Sequence, residues 1–447
     1  MQDEEEEESV AKLTDNVSAL GEEAGRQRCE TQIPQTDPVL DAFDRLRVRE
    51  VMAGYSDTAS TFLTKFQSIA ANLQPDEKIE LKMTAARENT KSLKAVLSDP
   101  QANKICALRW HYNEEGDVNS VVPLLIHNCP ELASLYVYSK HHSASDFVSS
   151  VLEHSSNKIK VLTLPRYTRG NIPRFFAALG QSQVSALNLS IGDSPEFAQG
   201  LFEYLTKDLL VRFKVWGCNQ VLLMSLSKCT RLAKLELIEC EFSQLTAFTH
   251  LPKSITKLEL KNCTFVGGFD WSFLSDSNVQ ELTLHNVRGV EGNRLGGALA
   301  VHLRAKGLDR LRFSRCDFVD ETLAVIGVDI SRIKRLMLEN GRVNDAYIKL
   351  IALALQSPNS ELKDLRLWYD DMASSIETHL VPALKHPNCN LAKLSLSTYG
   401  GGAKVAEHFH KRLALFVLLQ GRQVKRRYCP LRRLPMEMLR LVGKALI

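Results

Sequence analysis

One short pattern recurs along most of this chain and constrains its fold more than any other feature. It consists of an apolar residue, two variable residues, a leucine (once a phenylalanine), one variable residue and a second apolar residue. We find it twelve times between residues 105 and 396, with successive starts 22 to 29 residues apart. A period of this length is typical of solenoids, in which each unit buries its apolar face against the next. The starts are Ile105, Leu132, Ile159, Val184, Leu210, Leu232, Ile255, Val279, Leu308, Ile333, Leu362 and Leu391.

Seven of the ten cysteines occupy fixed positions of this repeat. Four follow a start by eight residues, namely Cys218, Cys240, Cys263 and Cys316, and three precede one by two or three residues, namely Cys129, Cys229 and Cys389. A cysteine is small and packs as a core residue. The placement therefore predicts buried, reduced, structural thiols and no metal site.

The segments between the motifs carry apolar residues at three- and four-residue spacing, which predicts helices. We expect them over 117–126, 144–152, 173–179, 195–205, 295–303, 345–355 and 374–384. The segments after Cys240 and Cys263 are shorter, and we expect irregular or single-turn connections there. The predicted fold class is α/β, a horseshoe-shaped solenoid over 105–402. Its parallel strands would form the concave face, its helices the convex face, and helical caps would close both ends.

Leucines spaced in this way, with a cysteine before and after the strand, resemble the cysteine-containing class of leucine-rich repeats. More broadly, the pattern is similar to the ribonuclease-inhibitor-like superfamily, with repeats of the kind found in F-box/leucine-rich-repeat proteins. The resemblance covers residues 105 to about 400. It implies a non-catalytic scaffold for protein–protein interactions. The finer implication is a substrate receptor of a cullin-based ubiquitin ligase.

The region before the repeats divides into two parts. The first 30 residues hold ten acids and three bases, and residues 1–36 are predicted to form an acidic, disordered tail. Residues 37–104 are predicted to be a helical N-terminal cap, with helices over Val39–Val51, Ser60–Leu73 and Asp76–Leu97. A separate adaptor module is the alternative for this second part.

Residues 403–447 hold eleven bases and two acids, and they are predicted to form a capping helix followed by a basic tail. Within the tail, Leu434–Val442 resembles the opening of an F-box, with Pro435 at the first helical position and Glu437 in the first turn. The chain ends too soon for a whole F-box. This segment either recruits a ligase adaptor or only caps the solenoid. The basic run Arg422–Arg433 is either a nuclear-import or phosphate-binding patch or the solvated side of a terminal helix.

Binding residues can be predicted from the strand motif, because successive side chains of a strand point to opposite faces. Counting from each start as zero, offsets 4 and 6 face the concave surface. Aromatic and arginine side chains there are typical carriers of interface energy, and the mixture of charges favours a protein partner over nucleic acid. The predicted partner-binding residues are Tyr136, Tyr138, Trp216, Lys261, His285, Arg312, Arg366 and Trp368.

The remaining patterns exclude several classes of protein. The longest apolar run, Leu413–Leu419, is far shorter than the roughly 20 residues of a membrane span, and the acidic N-terminus does not resemble a secretory signal. We find no P-loop, no Gly-x-Ser-x-Gly elbow and no His-Glu-x-x-His motif. The sequence therefore predicts no enzyme, no cofactor and no membrane contact, and a cytoplasmic or, through the basic run, nuclear location. The alternative function is a GTPase-activating protein of the Ran-type leucine-rich-repeat class.

Overall fold

The computed structural model describes residues 47–53, 57–83, 89–112, 120–139, 144–154, 158–165, 171–190, 195–218, 220–242, 248–339, 345–369 and 376–398. The predicted acidic tail of 1–36 lies outside these residues. So do the predicted capping helix, basic tail and F-box-like segment of 403–447.

Fourteen strands form one parallel sheet whose spatial order follows the order of the chain. This topology requires a crossover connection between each pair of neighbouring strands. The strands are β1 (Arg47–Ala53), β2 (Glu77–Met83), β3 (Ile105–Tyr112), β4 (Ser134–Ser139), β5 (Val161–Leu164), β6 (Ala186–Ser190), β7 (Arg212–Trp216), β8 (Lys234–Ile238), β9 (Lys257–Lys261), β10 (Glu281–His285), β11 (Arg310–Ser314), β12 (Arg335–Glu339), β13 (Asp364–Tyr369) and β14 (Lys393–Thr398).

Most crossovers contain a helix. The α-helices are α1 (Ala59–Ala71), α2 (Asn89–Leu97), α3 (Val121–Asn128), α4 (Ala144–Leu152), α5 (Ile172–Gln181), α6 (Pro195–Leu205), α7 (Gln220–Ser225), α8 (Phe273–Asp276), α9 (Gly292–Lys306), α10 (Val319–Ile326), α11 (Asp345–Gln356) and α12 (Val381–Lys385). Short 3₁₀ segments cover Pro100–Lys104, Leu226–Lys228 and Gly327–Arg332, and a π-helical turn covers Ile376–Leu380. Each of the seven helices predicted between residues 105 and 402 overlaps an observed helical segment. The connections predicted to be irregular or single-turn contain two-residue strands, Glu241–Phe242 and Thr264–Phe265, which pair with each other. The second connection also contains the one-turn helix α8, as predicted, whereas residues 243–247 of the first lie outside the described residues.

The repeat leucines set the register of the sheet. Leu108, Leu135, Leu162 and Leu187 stand opposite one another in β3 to β6, and all four are buried. The same alignment continues to the last strand, so one hydrophobic core runs from Val51 to Leu396. All twelve predicted strands are present as β3 to β14. The fold is therefore a leucine-rich-repeat solenoid of the α/β class, as predicted.

The sheet begins before the first predicted repeat. Val51 of β1 pairs with Leu81 of β2, and Leu81 pairs with Leu108 of β3. The helices predicted over Val39–Val51 and Asp76–Leu97 are therefore wrong at residues 47–51 and 77–83, whereas the helix over Ser60–Leu73 is confirmed as α1. The region predicted to be a helical cap contains the first two strands of the sheet.

A departure from the repeat pattern explains why these two strands were not predicted. In β2 the start position is occupied by Lys78, and the pairing with β3 shifts register between Ile79 and Glu80. Buried Ile79, Leu81 and Met83 alternate with charged residues, which is the period of a strand. In β1 a valine, Val51, replaces the leucine.

Five consecutive repeats place a left-handed residue directly after the strand, at offset 7. These residues have φ values between 49° and 70°, and each donates its amide to a carbonyl of the next repeat at 2.7–3.1 Å. They are Gly217, Glu239, Asn262, Asn286 and Arg315. The conformation extends the ladder past the strand, and only glycine adopts it without a Cβ penalty.

We expect Glu239→Gly to raise the free energy of unfolding by about 0.5–1 kcal/mol, because it removes the Cβ penalty at φ 54°. Urea denaturation measures the change. Glu241→Gly is the matched control, since Glu241 is also exposed but lies in an extended strand, and there glycine should destabilise by a similar amount. A lower free energy of unfolding in Glu239→Gly would contradict the left-handed backbone conformation of residue 239.

The eight described cysteines are buried thiols, as predicted. Burial raises the pKa of Cys129 to about 12 and that of Cys316 to about 11. Three cysteines form a ladder, in which the amide of Cys218 donates to Sγ of Cys240 at 3.2 Å. A hydrogen bond with Cys218 raises the pKa of Cys240 to about 12, and a hydrogen bond with Cys240 raises that of Cys263 further. The ladder stabilises protonated thiols.

Such thiols should resist alkylation in the folded protein, because the thiolate is the reacting species. At pH 8 we expect iodoacetamide to label them at least roughly 100-fold more slowly than in denaturant. Peptide-resolved mass spectrometry measures this and separates Cys29 and Cys429, which lie outside the described residues. Rapid labelling of Cys240 or Cys263 in the native state would contradict the burial and hydrogen bonding of these thiols.

Candidate binding surface on the strand face

Alternate side chains of the sheet point away from the core and form three rows, at offsets 2, 4 and 6 of each repeat. We call this surface the strand face. The alternation is visible in β9, where buried Leu258 and Leu260 separate Lys257, Glu259 and Lys261. Because neighbouring strands are in register, residues of equal offset stand side by side along the whole sheet.

All eight predicted binding residues lie on the strand face and are half-buried. The offset-4 row contains Tyr136, Arg312 and Arg366, and the offset-6 row contains Tyr138, Trp216, Lys261, His285 and Trp368. They extend from β4 to β13, so the structure arranges them as a long surface and not as one pocket. Lys261, His285 and Arg312 are brought together on β9 to β11.

The tyrosines of β4 pack against two side chains of β3. The His111 ring stacks on Tyr136 with centroids 5.5 Å apart and contacts Tyr138 at 5.2 Å. The Arg109 guanidinium lies over the Tyr136 ring, 5.1 Å from its centroid. Burial raises the pKa of Tyr136, and burial together with Arg109 lowers the pKa of His111. Both rings are therefore neutral at pH 7, which suits an aromatic contact.

Trp216 stands at the edge of a network of charges. Nζ of Lys214 lies 4.9 Å from its ring centroid and 2.8 Å from Oε1 of Glu236. Lys261 contacts the same carboxylate at 2.9 Å and Glu259 at 2.9 Å. The carboxylate of Glu236 thus lies between two lysines from the strands on either side.

Glu236 is ionised although it is buried. Burial alone would raise its pKa, but hydrogen bonds and charges from Lys214 and Lys261 outweigh this effect, and the pKa is lowered. Burial likewise opposes the charge of Lys261, but Glu259 and Glu236 raise its pKa. Each charge holds its neighbour in place, so this part of the strand face is ordered before any partner binds.

The next strands continue the arrangement with His285 and Arg312. Nδ1 of His285 lies 3.0 Å from Oγ of Ser314, and Arg312 donates to Oε2 of Glu339 at 2.6 Å. Burial lowers the pKa of His285, and the charges of Arg315, Arg312 and Lys261 lower it further. At pH 7 the imidazole is neutral, and the local charge comes from the arginines and lysines.

At the end of the sheet, Arg366 lies 3.4 Å from Asp364. Lys393 of β14 approaches the same carboxylate at 3.7 Å. Trp368 follows Arg366 on β13 and shares a row with Glu339 of β12. An aromatic side chain beside paired charges therefore recurs here, far from the similar arrangement at Trp216.

Several strand-face positions are more buried than their offsets predict. Ile238 and Met337, expected at the surface, are buried, as are Glu236 and Glu339. Long neighbouring side chains contact three of them: Arg310 reaches Sδ of Met337 at 3.2 Å, Lys214 and Lys261 contact Glu236, and Arg312 contacts Glu339. The burial of the two glutamates was not predicted from the sequence. Aligning the repeats in rows would have found the pair of Lys214 and Glu236, since they share offset 4 on adjacent strands.

Neither a metal centre nor a membrane span is found in the described part of the chain. No three His, Cys, Asp or Glu side chains there form a group that could hold a metal ion. None of its helices is long and apolar enough to cross a bilayer.

No protein-family model and no curated protein matches this sequence. Solved structures similar to it include an internalin, InlF, of Listeria monocytogenes, at 13% identity and a TM-score of 0.40, over 78% of this chain and 96% of that one. A chain of the yeast Rad7 and Elc1 complex matches at 14% identity and a TM-score of 0.46, over 89% of this chain and 98% of that one. A plant peptide hormone receptor, RGFR1 in complex with RGF2, matches at 10% identity and a TM-score of 0.31, over 66% of this chain and 50% of that one. Values this low carry no argument about function.

Proposed function

We propose that this chain is a non-catalytic scaffold that binds a protein partner on the strand face. The observation that carries the proposal is the repeated contact between a ring and a cation on that face. Arg109 lies over Tyr136, and Lys214 lies over Trp216. Half-buried aromatic and arginine side chains of this kind contribute most of the binding energy at protein interfaces.

The aromatic side chains of the strand face are held in place before a partner binds, which favours tight binding. The rings of Tyr136 and Trp216 are packed against Arg109 and Lys214 on a parallel sheet, so little side-chain entropy is lost there when a partner docks. The predicted residues extend over nine strand spacings, roughly 43 Å at about 4.8 Å each. A surface of this length suits a macromolecule and not a small molecule, whose sites are concave and compact.

Truncating the two tryptophans should abolish partner capture. Interface aromatics typically cost about 2 kcal/mol each when truncated, so Trp216→Ala with Trp368→Ala should weaken binding by roughly a thousandfold. Charge reversal of Arg312 and Arg366 should have a similar effect. Affinity purification from cell extract with quantitative mass spectrometry measures the loss.

Two variants on the helices provide the matched control. Met224→Ala and Val301→Ala remove apolar side chains that are 49% and 52% exposed away from the strand face. They should leave capture unchanged. If capture survives the tryptophan and arginine variants, or is lost equally in the controls, the proposed function is wrong.

The finer proposal is that the scaffold is a substrate receptor of a ubiquitin ligase. It is supported by the F-box-like segment Leu434–Val442, which lies outside the described residues. Deleting 421–447 should then remove co-purification of a cullin adaptor while strand-face capture persists. Retention of the adaptor, or its absence from the full chain, would contradict this role.

An assay of GTP hydrolysis distinguishes the scaffold from the alternative, a GTPase-activating protein. Purified protein should leave the rate of GTP hydrolysis by Ran unchanged if the chain is only a scaffold. Acceleration of hydrolysis would favour the alternative.

A further inference from the structure

The strand face of β7 to β14 carries an excess of positive charge. Its three rows hold ten lysines or arginines and five glutamates or aspartates, a balance of +5. The cations are Arg212, Lys214, Lys234, Lys257, Lys261, Arg310, Arg312, Arg335, Arg366 and Lys393, and the anions are Glu236, Glu259, Glu281, Glu339 and Asp364.

The two signs of charge lie at different depths. The five carboxylate side chains are only 6–21% exposed, whereas the eight cations paired with them are 28–52% exposed. Long lysine and arginine stems extend past the shorter acids and place their charges outermost. A ligand that approaches this surface therefore meets the cations first.

The pairs also hold the cations in position. Glu281 contacts Lys257 at 3.5 Å and Arg335 at 3.0 Å, as Glu236 contacts Lys214 and Lys261. Glu236 and Glu281 thus each fix two basic side chains from other strands. Glu259 and Asp364 each contact one base from their own strand and one from a neighbouring strand, and Glu339 contacts Arg312. The result is an ordered array of cations.

The spacing of the excess charge distinguishes two kinds of anionic partner. Seven strand spacings of about 4.8 Å give roughly 34 Å, or about one net charge every 7 Å. An extended peptide with an acid at every second residue presents one charge about every 6.8 Å on one side. Duplex DNA presents one about every 1.7 Å and would bring phosphates close to the five carboxylates. The array matches the peptide.

We propose that the strand face of β7 to β14 binds an acidic peptide segment of the partner, with alternate Asp or Glu side chains placed over the outer lysines and arginines. This inference rests on the proposed function and names the chemistry of the partner. A segment of about ten residues spans the eight strands.

The probe is a fluorescein-labelled peptide of about ten residues that alternates glutamate and serine, titrated with the full chain in fluorescence anisotropy. We expect saturable binding that weakens steeply between about 0.05 M and about 0.5 M salt. Lys234→Gln, Lys257→Gln and Lys393→Gln together should weaken it about tenfold or more. These are among the most exposed cations of the array, so the fold should survive their loss.

The matched control changes the same net charge elsewhere. Lys207→Gln, Lys253→Gln and Lys349→Gln alter exposed lysines outside the strands and should leave the affinity within about twofold. Equal loss in both triple variants, or no change in the first, would overturn the proposal. Tighter binding of a single-stranded RNA of equal length would assign the face to nucleic acid and overturn it as well.

Two further outcomes are decisive. If the peptide fails to bind while the tryptophan variants still lose their partner, the proposed function stands and the acidic-peptide inference is wrong. If replacing Glu4–Glu8 by glutamine raises the affinity for the probe, the face belongs to the chain's own acidic tract, which also overturns the inference.

Discussion

Replacing Trp271 by alanine is expected to lower the free energy of unfolding by about 3–5 kcal/mol. Trp271 is buried in the connection between β9 and β10, where a one-turn helix replaces a long one. Its ring lies 4.9 Å from that of Phe269, 5.3 Å from that of Phe265 and 6.0 Å from that of Phe273. This aromatic cluster supplies the packing that a helix supplies in other repeats.

Urea denaturation followed by circular dichroism measures the loss. Trp271→Phe is the matched control, because it keeps an aromatic ring and removes an indole N–H that has no acceptor among the described residues. We expect that variant to lose less than about 1.5 kcal/mol. If both variants lose the same amount, ring packing is not what Trp271 contributes.

The second large effect is expected at His302 of α9, which is fully buried. Nδ1 lies 2.8 Å from the carbonyl of Leu274, and Nε2 lies 2.8 Å from that of Val279. The ring thus joins α9 to the end of the preceding connection. His302→Ala removes the ring and its donor, so we expect a loss of about 3–5 kcal/mol. His302→Gln keeps a donor and should lose less.

The same histidine gives the stability a defined pH dependence. Burial lowers the pKa of His302, Lys306 lowers it further, and the two carbonyl contacts oppose the shift without reversing it. The folded state therefore favours the neutral ring. As the pH falls below about 6.5, the unfolded chain binds this proton first and the wild type loses stability.

Denaturation at pH 7.5 and pH 5 tests this dependence. His302→Ala has no such proton to bind, so its difference in stability from the wild type should narrow at pH 5. A difference that widens would mean that the folded state binds the proton more tightly, with both ring nitrogens donating to carbonyls. The expected sign would then be wrong.

The sequence predicts the fold wherever the repeat keeps its leucine. Leu108, Leu258 and Leu365 mark strands whose register follows directly, because equivalent leucines stand opposite one another. The first two strands were not predicted, since β1 has a valine at the leucine position and β2 has a lysine at the start. A motif defined by residue type therefore misses both strands, although in β2 the alternation of Ile79, Leu81 and Met83 with charged residues indicates a strand.

The binding surface was predictable in position but not in electrostatics. Offsets place Trp216, Lys261 and Arg312 on the strand face without knowledge of the fold. The depth of a side chain depends on its neighbours on adjacent strands, which lie 22 to 29 residues away in sequence. For that reason the burial of Glu236 beneath two lysines and the outward cations emerged only from the structure. The same applies to His302, whose partners are 28 and 23 residues away.

We expect the partner to dock on the strand face. A photo-crosslinking amino acid placed at Lys257, on the strand face, and at Val301, on α9, tests this docking most directly, because both residues are exposed. Irradiation in cell extract should give a crosslinked partner from position 257 and none from position 301. A partner crosslinked only from position 301 would contradict docking on the strand face.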